Sequence, residues 1–116
     1  MGDAALAFAQ SWREACNSHD LDRILGLYSD AIVFKSPRVQ ILFDVQSGTL
    51  QGKAAVRIYW QKLLEKRPDL TFSIDRVFSG IDTIALEYQV GDLRGIEFMI
   101  LDADGLISFA AGNDLS

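Results

Sequence analysis

The second half of the chain constrains the fold most, because it reads as four β-strand segments in direct succession. The segments cover residues 70–78, 83–90, 93–101 and 106–113. Gly, Asp and Ser mark the boundaries between them, and these residues favour tight turns. Strands joined by such short connections pair as antiparallel neighbours. We therefore predict one antiparallel sheet, whose apolar side chains the remainder of the chain must help to bury.

Three segments of the first half have the spacing of amphipathic helices. Apolar residues recur there at every third or fourth position, which is the period of a helix with one buried face. The segments are residues 5–16, 21–28 and 53–66. Asp20 stands where an N-cap of the second helix is expected, and Pro68 ends the third.

Two further strands are predicted between the second and third helices. Residues 32–34 are β-branched or aromatic, and this first strand is broken at Pro37. Residues 39–46 alternate between apolar and polar side chains, which indicates a half-buried strand that ends at Ser47 and Gly48. The predicted order is α-α-β-β-α-β-β-β-β. This is a single α+β domain over residues 1–116, with a mainly antiparallel sheet covered by three helices.

The strand over residues 93–101 predicts a partner subunit. Its residues 96–101 are apolar on both faces apart from Glu97. Helices of this chain can cover one face of the sheet only. We therefore expect a homodimer formed through the exposed faces of two sheets.

Charge and composition weigh against several classes of partner. The net charge is −5 and the basic residues are scattered, so nucleic acid is not an expected partner. No apolar run approaches the ~18 residues of a membrane span, and no targeting pattern is visible, which predicts a cytoplasmic protein without membrane partners. Cys16 and His19 each occur once, so we expect no disulfide, no metal site and no cofactor.

Glu97 is the residue most indicative of chemistry. It is the only ionisable residue in residues 95–101, and strand alternation places it on one face with Met99. If that face lines a pocket, desolvation raises the pKa of the carboxyl, which then serves as a general acid or hydrogen-bond donor. The alternative is a structural ion pair with Arg38, Arg57 or Arg94.

Aromatic residues at periodic positions predict either a solid core or the walls of a pocket. The set comprises Trp12, Tyr28, Phe34, Tyr59, Trp60, Phe72 and Tyr88. The polar hydrogens of Trp and Tyr need partners when buried, and a pocket would provide them. Such a pocket suits a flat, hydrophobic molecule bearing one or two oxygens. Asn113 and Asp114, at the end of the last strand, are predicted to reach the mouth of this pocket.

Several short motifs, taken in this order, resemble the SnoaL-like branch of the NTF2-like superfamily. They are Trp12…Asn17-x-His19-Asp20, Phe34-x-Ser36-Pro37, Gly52 before the third helix, and Asp104-Gly105 before the last strand. The resemblance covers the whole chain and implies a cone-shaped, cystatin-like fold around a pocket open at one end. Its members include ketosteroid isomerases, cyclases, dehydratases, epoxide hydrolases and binding or scaffold proteins. The fold therefore does not imply one reaction.

The resemblance to the ketosteroid isomerases is partial. The position of their catalytic base is Ser36 here, that of the first-helix phenol is Trp12, and that of their protonated acid is Glu97. Their supporting tyrosines correspond to Tyr28 and Trp60. An unassisted serine hydroxyl is too weak a base to remove a carbon-bound proton near neutral pH. The resemblance therefore implies that this sequence keeps the acid of the ketosteroid isomerase pattern. It does not imply the isomerase mechanism, because the base and phenol of that pattern are replaced.

Three functions stay open on the sequence. The first is an isomerase-, cyclase- or dehydratase-like enzyme that uses Glu97 as acid. The second is a binding protein that holds a small hydrophobic molecule in the same pocket. The third is a dimeric scaffold or interaction module whose pocket is filled by its own side chains.

Overall fold

Six strands form one sheet and four helices pack along it in the computed structural model, which describes residues 2–116. The helices are α1 (Gly2–Ser18), α2 (Leu21–Leu25), α3 (Pro37–Phe43) and α4 (Lys53–Lys66). The strands are β1 (Tyr28–Lys35), β2 (Thr49–Gln51), β3 (Phe72–Gly80), β4 (Thr83–Val90), β5 (Leu93–Leu101) and β6 (Ile107–Asp114). The predicted α+β class is confirmed. None of the helices in residues 2–116 combines the length and apolarity that a membrane crossing requires.

The spatial order of the strands is β2-β1-β6-β5-β4-β3. Strands β3 to β6 form the antiparallel meander predicted from the turn residues. β1 pairs with β6 in parallel, and β2 forms the edge of the sheet beyond β1. In this register Glu97 of β5 lies between Leu86 of β4 and Gly112 of β6. The centre of the sheet therefore carries the one buried carboxylate of residues 2–116.

The strand predicted over residues 39–46 is wrong, because this segment forms helix α3 and the turn that follows it. Ser36 caps the helix by accepting a hydrogen bond from the Arg38 backbone N–H at 3.2 Å, and Pro37 occupies the first turn. Asp44 ends the helix in the left-handed region, at φ 53°. Val39 is fully buried while Ile41 is 72% exposed, although an inward-facing strand would bury both. Residues 2–116 therefore form four helices, not three.

The second helix is shorter than its apolar spacing predicts. Asp20 caps α2 as expected, since its carboxylate accepts from the backbone N–H groups of Asp22 and Arg23 at 3.0 and 3.3 Å. The helix ends at Leu25, and Tyr28 already belongs to β1. Apolar residues in a short segment fit the period of a helix as well as that of a strand, so contacts with the sheet decide where β1 begins.

Candidate functional site

A cavity of about 280 Å³ lies between the concave face of the sheet and the helices. Eight residues predicted for the site line it: Trp12, Phe34, Ser36, Tyr59, Trp60, Phe72, Tyr88 and Glu97. Seven further residues complete its wall: Arg38, Leu63, Arg67, Leu70, Val90, Asp92 and Leu93. The volume is at the lower end of the roughly 300–1,000 Å³ typical of small-molecule sites.

Three predicted pocket residues lie elsewhere. The Tyr28 hydroxyl accepts a hydrogen bond from Trp60 Nε1 at 3.2 Å, in the core beside the cavity. Met99 is fully buried further along β5. Asn113 lies opposite Ile96 on the outer face of the sheet, since strand alternation gives the inner face to its neighbours on β6. Its side-chain amide donates to the Ala111 carbonyl instead of reaching the cavity.

Six aromatic residues form part of the cavity wall. The Trp12 ring lies edge-on to Phe72, with centroids 5.1 Å apart, and its centroid is 6.2 Å from that of Tyr88. Phe34 and Tyr59 also pack against each other, with ring centroids 4.8 Å apart. Rings held in this way support one another and leave a narrow space suited to a flat molecule.

The Trp12 side chain carries a hydrogen-bond donor without a partner. Trp12 is only 3% exposed, and its Nε1 is the one buried side-chain polar atom without a hydrogen bond among residues 2–116. Leaving such a donor unpaired costs about 1–3 kcal/mol. The atom itself is sealed from solvent, although other parts of the ring line the cavity.

Glu97 reaches the cavity because β5 alternates as its sequence predicts. Gly95, Glu97 and Met99 are buried, whereas the residues between them are more exposed. Burial raises the pKa of the Glu97 carboxyl to about 7; the Arg38 guanidinium opposes this rise and the Asp114 carboxylate adds to it. No group in residues 2–116 donates a hydrogen bond to this carboxylate. The acid is therefore close to half-protonated at neutral pH and has no protein partner.

The ion pairs considered for Glu97 are not formed, because each of the three arginines is held by another group. Arg57 pairs with Asp22 at 2.6 Å. Arg94 donates to the Gln89 side chain. The third, Arg38, pairs with Asp114 and is described next.

Arg38, in the first turn of α3, brings a guanidinium to the cavity wall. Its Nη2 and Nη1 donate to the two carboxylate oxygens of Asp114 at 3.2 and 3.4 Å, and Nη2 also donates to the Tyr88 hydroxyl at 3.3 Å. The sequence pattern did not predict that Arg38 lines the cavity, because the residues that follow, 39–46, alternate like a strand. Ser36 followed by Pro37 is a cap and first-turn signature, and it was the signal that could have found the helix.

Gly112 makes room for a polar corner of the cavity. A β-carbon at this position would lie 3.3 Å from Glu97 Oε1, 3.4 Å from Arg38 Nη2 and 3.5 Å from Ser36 Oγ. The three polar groups therefore converge on a point that only a residue without a side chain leaves open. No grouping of three or more His, Cys, Asp or Glu side chains suited to a metal ion occurs in residues 2–116.

Comparison with known proteins shows which family this chain matches. The model of the SnoaL-like domain matches residues 9–110. A SnoaL-like protein of unknown function from Burkholderia thailandensis has 31% identity and a TM-score of 0.91, over 97% of this chain and 94% of that one. A search of curated proteins returns no significant match.

Two more distant structures share the fold. A protein of unknown function with a cystatin-like fold from Methylobium petroleophilum has 21% identity and a TM-score of 0.76, over 98% of this chain and 77% of that one. A candidate ketosteroid isomerase from Kribbella flavida has 19% identity and a TM-score of 0.71, over 95% of this chain and 76% of that one. The predicted family resemblance and the cystatin-like fold are thereby confirmed.

Proposed function

This chain belongs to the SnoaL-like domain family, and we propose that it binds a small hydrophobic molecule bearing one or two oxygens in the cavity, with protonated Glu97 as hydrogen-bond donor or acid. One observation carries the proposal. A buried carboxyl without a protein hydrogen-bond partner lies at the wall of a cavity that six aromatic residues help to line. Natural proteins rarely keep such a group unless it is paired or has a function.

The Glu97 carboxyl favours a hydrogen-bond acceptor on the ligand, because it contributes an O–H at the cavity when it is protonated. A ketone, lactone or related carbonyl compound would accept from this donor. The volume of about 280 Å³ favours one or two rings over the four rings of a steroid.

Binding comes before conversion in this proposal, because no buried base faces Glu97: the other carboxylate that lines the cavity, Asp92, is exposed to solvent. The Ser36 hydroxyl is engaged as the cap of α3, and Asp44 does not line the cavity. An acid with a pKa near 7 is well matched to donating a proton at neutral pH. Any conversion at this site would therefore be one that a single proton donor can promote.

Calorimetric titration with 1-indanone and its hydrocarbon analogue indane tests the proposal. We expect 1-indanone to bind the wild type about tenfold more tightly at pH 6 than at pH 8, because a carboxyl with a pKa near 7 is about tenfold less protonated at pH 8. Indane should bind more weakly and without pH dependence. Glu97→Gln keeps a donor that cannot titrate, so 1-indanone should then bind equally at both pH values.

The control is Glu65→Gln, which changes an exposed glutamate on α4 and should retain the wild-type pH dependence. Equal binding of the two probes, or wild-type affinity for 1-indanone that does not change with pH, would contradict the proposal.

We further propose that a second copy of this chain covers the outer face of the sheet. The face carries an apolar group on four strands, formed by Phe78, Ala85, Ile96, Phe98, Ile100, Phe109 and Ala111, beside the polar residues Arg76, Glu87, Arg94 and Asn113, as strand register places them. Ile96 is 39% and Phe78 51% exposed, and the rings of Phe98 and Phe109 pack together at 6.4 Å. Contiguous apolar surface of this kind is typical of subunit interfaces.

Sedimentation equilibrium tests the dimer. We expect the wild type to be dimeric at micromolar concentration and Ile96→Asp to be monomeric, because a charge would then be buried in the middle of the interface. Ile41→Asp is the matched control, since Ile41 is 72% exposed on α3, away from the sheet. A wild type that stays monomeric at all concentrations would refute this arrangement.

A further inference from the structure

We propose that Asp114 is a positioning residue, which holds the Arg38 guanidinium away from Glu97 and so favours the protonated form of the cavity acid; this inference rests on the donor role proposed above for Glu97. The three side chains come from β6, α3 and β5. Arg38 and Glu97 line the cavity, and Asp114 holds Arg38 from outside the cavity wall.

The hydrogen bonds of the Arg38 guanidinium go to groups other than Glu97. Asp114 accepts two hydrogen bonds from the guanidinium, at 3.2 and 3.4 Å, and the Tyr88 hydroxyl accepts a third. A two-point pair of this kind fixes both the position and the orientation of an arginine. No ion pair joins Arg38 to Glu97, although both approach the vacant side-chain position of Gly112 within 3.4 Å.

Glu97 and Asp114 therefore compete for one cation. Asp114 is the better placed of the two acids, because its side chain is 30% exposed and its charge is partly solvated, whereas Glu97 is 8% exposed. With Asp114 bound to Arg38, ionisation of Glu97 would add an uncompensated negative charge to a dry site. Without Asp114, Glu97 becomes the nearest available counter-ion for Arg38 and is favoured as a carboxylate.

The other titratable groups facing Glu97 do not alter this balance. They are Cys16 of α1, Tyr28 of β1, Tyr59 of α4 and Tyr88 of β4. Burial raises the pKa of each above its ordinary value, so all four are neutral across the range in which Glu97 titrates. Arg38 and Asp114 are therefore the charged groups that decide its state among residues 2–116.

Carbon-13 NMR of the glutamate carboxyls tests the inference in the ligand-free protein. The chain has four glutamates, and the signal lost in Glu97→Gln identifies the cavity acid. We expect Asp114→Asn to lower the Glu97 titration midpoint by about one pH unit or more, because an unpartnered arginine stabilises a nearby carboxylate by that order. Asp114→Glu, which can still hold Arg38, should return the midpoint toward that of the wild type.

A second pair of variants, made in a protein that lacks Arg38, separates the positioning of Arg38 from the direct electrostatic effect of Asp114 on Glu97. In Arg38→Met, where no cation is left to hold, Asp114→Asn should shift the midpoint by less than half as much as it does beside Arg38. An unchanged midpoint in Asp114→Asn, or equal shifts in both backgrounds, would overturn the inference. Because this titration uses no ligand, it can succeed even where 1-indanone fails to bind, so failure of the binding proposal is seen separately.

Discussion

At pH 8 the Glu97→Gln variant is expected to be more stable than the wild type by about 3 kcal/mol, and at pH 4 the two should be nearly equal. The reason is the pKa of the Glu97 carboxyl, which burial raises from an ordinary value near 4.5 to about 7 in the folded protein. Each pH unit between the two values corresponds to about 1.4 kcal/mol.

The sign follows from proton binding. The folded state holds its proton up to about pH 7, whereas the unfolded chain releases it near pH 4.5. Between these values the folded state binds more protons, so the wild type loses stability as pH rises from about 4.5 to 7 and stays at the lower level above it. Glutamine, which is neutral throughout, does not have this loss.

Urea unfolding across pH 4–8 measures the difference. All other carboxyls are shared by the two proteins, so their contributions cancel in the comparison. Glu65→Gln, at an exposed position on α4, should give a curve parallel to that of the wild type. Parallel curves for Glu97→Gln as well would mean that Glu97 is solvated or paired, and both the donor role and the positioning of Arg38 would then lose their basis.

Gly95→Ala is expected to destabilise the protein by about 3 kcal/mol, the upper end of the range for overpacking. A β-carbon on Gly95 would lie 2.5 Å from the Asn113 backbone oxygen and 3.2 Å from the Tyr88 hydroxyl. The first contact is with backbone of the paired strand β6, so the strands must separate to relieve it. The cause is this close approach and not an unusual backbone conformation.

Gly112→Ala is the matched comparison on the neighbouring strand. Its β-carbon would meet only the ends of side chains, at 3.3–3.5 Å, and these can move by a few tenths of an ångström. We expect a loss of about 1 kcal/mol or less from urea unfolding at pH 5, where Glu97 is neutral. Equal losses in the two variants would show that the β5–β6 pairing near Gly95 is looser than the structure gives it.

A buried acid that lowers stability at neutral pH is better explained by function than by structure. An apolar or amide side chain in place of Glu97 would avoid the desolvation cost, and the remaining partners of Arg38 would stay in place. Sites that bind or react commonly carry such a cost. The proposed ligand would give the buried carboxyl a hydrogen-bond partner, which a cavity filled by the protein's own side chains would not do.

The sequence by itself determined strands β3 to β6, the family and the residues that share a face with the central acid. Turn residues and apolar alternation set β3 to β6, and a period of two residues places Glu97 beside Gly95 and Met99 on one face. The spacing of Trp12 and Trp60 placed both on the buried sides of their helices. These features are local, because each depends on neighbours a few positions away.

Tertiary structure decided what surrounds that acid. Residues 39–46 alternate like a strand, yet the Ser36 cap and the packing of Val39 make them the helix that delivers Arg38 to the cavity. Arg38 meets Asp114, which is 76 positions along the chain, because β6 pairs with both β1 and β5. A local period records which face of an element is buried but not which distant charge lies across from it, since that depends on how all the elements pack.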